Sequence, residues 1–211
     1  MIEFFFDCSS PWTWLAFHNL RPMARELGVE VRWRPVLVGG IFNAVNPSVY
    51  EFRERGVPAK QTYLQKDLQD WARVAGLEIH FPPPVFPVNS VKAMRGCLHL
   101  EPEGRLVPFA EAVFEAYWTR CEDISRDEVL TALCERVGAD PQAFHAGIAS
   151  PAIKDALKRN TDEVIARGGF GSPTIFVGGD DMYFGNDRLV LVRDAVLRRR
   201  HEASGLQAAR C

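Results

Sequence analysis

Three short segments of this 211-residue chain carry residue types whose spacing could do chemistry. The first, Asp7-Cys8-Ser9-Ser10-Pro11, follows an apolar run and precedes Trp12-Thr13-Trp14. It reads as a loop feeding a helix, with Ser10 as cap and Pro11 in the first helical position. Unpaired N–H groups and the positive dipole end at such a helix start stabilise an anion, a thiolate in particular. A dithiol site would carry cysteines at positions 10 and 13. Serine and threonine stand there, and disulfide exchange needs an attacking thiolate, so that chemistry is excluded at this spot. The Ser10 hydroxyl can instead donate to a thiolate that a second molecule supplies. The second segment is Gly171-Ser172-Pro173-Thr174, and the third is Phe184-Gly185-Asn186-Asp187-Arg188. In the third, an amide, a carboxylate and free helix N–H groups together suit an amino-acid head group. Each segment also has a plain structural use: Ser10, Asn186 and Asp187 can cap helices, and Pro173 can simply open a strand. Taken singly, the residues leave both readings open.

The elements that must position these segments follow from the apolar pattern. Ile2–Phe6 predicts a central strand, positions 11 to about 28 a helix kinked at Pro22, and 29–36 a second strand. Strand, helix, strand implies parallel pairing with a right-handed crossover. Helical periodicity then fills 60–75, 89–100, 106–121, 127–137 and 153–167. The proline-rich stretch 81–87 reads as an extended connector. Strands return at 174–177 and 182–184 around the turn Gly178-Gly179-Asp180-Asp181, and a last amphipathic helix starts at Asp187. The order βαβ, helical block, ββα is an α/β, thioredoxin-like domain interrupted by a large all-helical insertion. Its parts are residues 1–42 and 168–211 for the thioredoxin-like domain and 43–167 for the insertion. In that fold Pro173 faces the first helix N-terminus through a cis peptide, which presents the N–H and C=O of Ser172 to the backbone of a peptide-like ligand. A tripeptide thiol, glutathione, satisfies both segments.

Composition narrows the alternatives. A net charge of −2 gives no electrostatic case for nucleic acid or an acidic membrane surface. Arg198-Arg199-Arg200 falls at a predicted helix C-terminus, where cations complement the dipole. No apolar run approaches the roughly 20 residues that cross a bilayer, and the N-terminus lacks a leader pattern, so a cytoplasmic protein is expected. The five cysteines (Cys8, Cys97, Cys121, Cys134, Cys211) form no C-x-x-C pair, and the five histidines form no i, i+4 pair. Neither a disulfide framework nor a metal site is expected. Cys97 and Cys134 sit in helical apolar patterns as packing residues, while Cys8 leaves a small opening for mixed-disulfide chemistry.

The ordered motifs resemble one family. The opening Asp7-x-x-Ser10-Pro11-x-x-Trp14-Leu15 resembles kappa-class glutathione transferases and bacterial 2-hydroxychromene-2-carboxylate isomerases. The runs from Arg34 to Phe42, from Pro58 to Ala72 and from Phe86 to Arg95 are similar to the isomerase branch, and the second and third segments complete the set. The resemblance covers nearly the whole chain. It implies a DsbA-like fold, a homodimer, glutathione as cofactor and a small aromatic carboxylate as substrate. By position it assigns Ser10 to the glutathione sulfur, Ser172 beside Pro173 to the cysteinyl backbone, and Asn186 and Asp187 to the γ-glutamyl end. Lys60 falls to a carboxylate of glutathione or substrate, and Asn46 to glutathione, although the loop around it departs in length from the transferase pattern. Asn89 matches a motif without a defined contact. Trp12 and Phe42, with Phe5 and Trp14, are candidates to wall the aromatic ring. The implied reaction is reversible addition of the thiolate, with ring opening, bond rotation and expulsion regenerating the thiol. The alternatives are a kappa-type transferase or peroxidase that consumes glutathione, and a non-catalytic glutathione-binding module.

Overall fold

The computed structural model describes residues 1–208, leaving aside the side chains of 53 and 203–208. Cys211 lies outside the described residues. Strand β1 (Ile2–Phe6) buries Ile2, Phe4, Phe5 and Phe6, with only Glu3 half-buried, so side chains on both of its faces are covered. It pairs in parallel with β2 (Val31–Pro35), Ile2 opposite Val31, and antiparallel with β3 (Thr174–Val177), Phe5 opposite Thr174. Strand β4 (Asp181–Phe184) adds to β3 with Phe184 opposite Thr174, giving the sheet order β2-β1-β3-β4. The C-terminal end of β1, the start of β3 and the end of β4 therefore lie at one end of the sheet, where the three chemical segments begin.

Helix α1 (Pro11–Glu26) crosses one face and runs on through Pro22 without a break in the helix. Phe6 and Phe17 meet Phe114 on this face, with Phe17 and Phe114 ring centroids 5.3 Å apart, and Phe4 packs on Phe6 and Phe17. On the other face Phe5, Val36, Ile41, Val164 and Phe176 form a smaller cluster. Between β2 and β3 run α2 (Val38–Val45), α3 (Ser48–Arg55), α4 (Pro58–Ala75), α5 (Val91–Leu100), α6 (Leu106–Trp118), α7 (Asp127–Arg136), α8 (Pro141–Ala149) and α9 (Pro151–Ala166). Helix α10 (Leu189–Ala208) closes the chain after a short 3-10 turn over Asn186–Arg188. The chain thus has the thioredoxin-like arrangement, interrupted by a helical insertion, that its pattern predicts.

Two features depart from the sequence reading. Helices α2, α3 and α8 stand where no helix is predicted. Gly39 and Gly40 each disfavour a helix by about 1 kcal/mol, but buried Ile41 and a hydrogen bond to the first N–H of α2 override that preference. The stretch 81–87 is a series of bends rather than an extended connector, with cis peptides at Phe81-Pro82 and Phe86-Pro87. Phe81 and Phe86 pack edge to face at 5.2 Å, and Phe81 stacks on Trp118. That aromatic contact folds the stretch back onto the body of the protein.

Candidate functional site

Ser10 caps α1 from an extended conformation, and its Oγ accepts from Thr13 N–H at 3.3 Å. The same hydroxyl donates to the Ser172 carbonyl at 3.3 Å. The Ser172–Pro173 peptide is cis, as the fold requires. Ser172 Oγ lies 2.8 Å from Thr13 Oγ1 and accepts from Asp7 N–H at 2.9 Å. Ser10, Thr13, Ser172 and Pro173 therefore form one cluster where α1, β1 and β3 converge. Ser10 is half-buried and Thr13 fully buried, so the serine is the member that a ligand meets. Helix geometry leaves Trp12 N–H without an intrahelical acceptor, and the first turn holds no acidic residue. The result is a positive helix end with a hydroxyl donor, suited to an anionic sulfur.

The third segment is tied to this cluster. Gly185 N–H donates to the Pro173 carbonyl at 3.2 Å, and Gly185 adopts φ +93°, a region open to glycine. Asn186 is 4% exposed; its Oδ1 accepts from Asn19 Nδ2 at 3.0 Å, while its Nδ2 has no partner among the described residues. A buried, unpaired amide donor is costly unless something accepts from it, and a carboxylate group of a ligand fits that need. Asp187 is exposed and pairs with Arg188.

The remaining sequence candidates spread outward. Asn46 caps the C-terminus of α2 and donates through Nδ2 to the Phe170 carbonyl at 3.1 Å, which brings α2 to the loop carrying Ser172. Phe42 and Phe184 cover Gly171, where an added Cβ would stand 2.9 Å from the Phe184 ring and 3.6 Å from that of Phe42. Trp12 is half-buried and packs partly on the core. Phe5 and Trp14 cannot wall a ligand: both are core, Phe5 against Phe176 and Trp14 stacked on Phe114. Lys60 lies exposed in the first turn of α4 among Phe52, Ala59, Tyr63 and Leu64, with no hydrogen bond to the Ser10 cluster. Asn89 is exposed and accepts from Val91 N–H at 3.0 Å, securing the start of α5.

Among the described residues no cysteine takes part in this cluster. Cys8 is fully buried, and burial together with the neighbouring Cys97 pushes its thiol well up, which closes the opening for mixed-disulfide chemistry. Cys97 and Cys134 are buried, as their apolar patterns predict. Among the described residues no group of histidines, cysteines and carboxylates is placed to hold a metal, and no helix is long and apolar enough to cross a membrane.

Sequence reasoning gave no role to Asp7, Asn19, Thr13 or Ser90. Asp7, directly after β1, is 1% exposed. Its Oδ1 accepts from Ser9 N–H and its Oδ2 from Val38 N–H, each at 2.9 Å, and the nearby Ser90 side chain also favours the charged carboxyl. Burial pushes this carboxyl up, and those donors pull it back. The one signal in the sequence is an acidic residue directly after the Phe4-Phe5-Phe6 run, where an unpaired charge is expensive.

The family model of the DsbA-like thioredoxin domain matches residues 1–197. A Pseudomonas putida protein named 2-hydroxychromene-2-carboxylate isomerase is 33% identical over 203 residues, covering 94% of this chain and 95% of its own. Human glutathione S-transferase kappa 1 is 29% identical over 203 residues, covering 90% and 88%. A solved structure of 2-hydroxychromene-2-carboxylate isomerase superposes with a TM-score of 0.81 at 30% identity, covering 97% of this chain and 98% of that one.

Proposed function

This chain belongs to the DsbA-like thioredoxin family, among the 2-hydroxychromene-2-carboxylate isomerases and kappa-class glutathione transferases, and from that premise we propose a glutathione-dependent isomerase of 2-hydroxychromene-2-carboxylate-type aromatic acids. One observation carries the reading. The helix start that activates thiols in this fold has Ser10 hydrogen-bonded beside cis Pro173, and the nearest cysteine is buried with its thiol pushed up. Such a site favours a thiolate and cannot supply one.

The residues fit the group. Ser10 turns its hydroxyl from the Ser172 carbonyl to the bound sulfur and, with the α1 dipole, offsets the desolvation that would otherwise raise the thiol pKa above its usual value of about 8.5. The Ser172 backbone pairs with the cysteinyl backbone, and the orphan Asn186 Nδ2 and Asp187 take the γ-glutamyl head group. When bound, glutathione supplies a thiolate that adds to the conjugated double bond of the acid and later leaves, so the bond is transiently single and the thiol is not consumed. Phe42 and Trp12 border the ring, and Lys60 on the insertion is the candidate for the substrate carboxylate. We further propose a homodimeric, cytoplasmic enzyme, a state that sedimentation of the purified chain tests.

The test is isomerisation of 2-hydroxychromene-2-carboxylate with and without glutathione, with total thiol counted before and after. Turnover that requires glutathione and leaves thiol unchanged supports the isomerase. Thiol loss, together with conjugation of a chlorinated nitrobenzene, would instead assign a kappa-type transferase.

A further inference from the structure

Asp7 bonds to the Ser9-Ser10 turn, to Ser172 and to the start of α2, yet the proposed chemistry gives it nothing to do. Its N–H holds Ser172 Oγ at 2.9 Å, and its C=O accepts from Ser10 N–H at 3.3 Å. Its carboxylate takes Ser9 N–H from the turn before α1 and Val38 N–H from the start of α2, both at 2.9 Å. A buried charge is normally avoided, and a neutral side chain could end this strand at lower cost. The two backbone N–H groups can only donate, so each needs an acceptor oxygen, and a carboxylate offers one to each. An asparagine would present an NH₂ to one of them.

We propose that Asp7 is the positioning residue of this site, locking the Ser9-Ser10 turn to the first N–H of α2 so that the thiolate-holding serine and the helix carrying Phe42 and Asn46 form one rigid frame. The inference rests on the function proposed above for what the frame holds, and on the hydrogen bonds alone for the frame itself. A reacting group displaced by about 1 Å can lose 10²-fold in rate, so the lock matters without touching substrate.

Two variants test it. In Asp7→Asn the loss of a negative charge should by itself lower the pKa of a bound thiol. Loss of the frame acts oppositely, because Ser10 no longer stands at the sulfur. The expected result is a bound-glutathione thiol pKa higher than in the unaltered protein, read by ultraviolet absorbance; an unchanged or lower pKa would overturn the assignment. Val38→Pro removes only the donor to Asp7 and keeps an apolar side chain. Proline is favoured in the first position of a helix, and Leu37 before it is already extended (φ −109°, ψ 107°). Propensity therefore predicts a firmer α2, whereas the lock predicts a looser one. Faster amide exchange across 41–46 supports the frame, and unchanged or slower exchange refutes it. The exchange measurement needs no glutathione, so it stands even if the unaltered protein fails to activate that thiol, a failure that would sink the proposed function alone.

Discussion

Ser10 serves two masters, the helix it caps and the sulfur it is proposed to face, and the two are separable by experiment. Replacing Ser10 with alanine removes the Oγ that accepts from Thr13 N–H, which costs about 1 kcal/mol of stability. It also removes the donor to the thiolate, and loss of one such preorganised donor lowers turnover by about 10²-fold or more. We expect Ser10→Ala to bind glutathione nearly as before by calorimetry while its kcat collapses; an unchanged kcat would take Ser10 out of the mechanism. Asp187 tests the other end of the tripeptide. It is exposed and already engaged with Arg188, so its contribution is modest, and Asp187→Ala should weaken glutathione binding about tenfold, or roughly 1.4 kcal/mol. Equal affinities for the two proteins would remove the γ-glutamyl assignment.

At the scale of elements, glycines mark where helices come too close for a side chain. Gly96 on α5 is one such case, since a Cβ there would stand 2.7 Å from both the Phe109 ring of α6 and the Phe144 ring of α8. Overpacking of this kind costs typically about 1–3 kcal/mol, so Gly96→Ala should lower the denaturant midpoint at unchanged m-value. A midpoint equal to that of the unaltered protein would mean that the three helices give way freely. What was legible in the sequence follows the same division. Strand β1, the cap and proline of α1, the Gly178-Gly179 turn and cis Pro173 all announce themselves through local chemistry. Helices α2 and α3 do not, because α2 is held by tertiary contacts that outweigh its glycines and both are only two turns long. The site divides likewise: Ser10, Ser172 and Asn186 are readable as caps and turn residues beside a helix start. Asp7, Asn19, Thr13 and Ser90 gain their roles only from partners distant in sequence, such as Asn186 for Asn19 and Val38 for Asp7.

Across the whole molecule, the helical block and the sheet share their packing. Trp14 stacks on Phe114 with rings 5° from parallel, Phe6 meets the same ring, and Trp118 Nε1 donates to the Cys8 carbonyl at 2.9 Å. Residues from the two regions thus lie in one continuous apolar cluster, which joins the site loop to α6. We expect heat or denaturant to unfold the chain in a single transition, with far-ultraviolet circular dichroism and tryptophan fluorescence coinciding. Separated transitions would make the helical block an independent unit. That shared packing also holds the start of α1 in place, and on that start the proposed activity depends. The most direct test is to titrate the thiol of enzyme-bound glutathione by its ultraviolet absorbance, in the unaltered protein and in Ser10→Ala. The account predicts a pKa well below the free thiol's value of about 8.5, rising when Ser10 is lost. Saturable binding with an unshifted pKa would contradict it and leave a protein that holds glutathione without activating it.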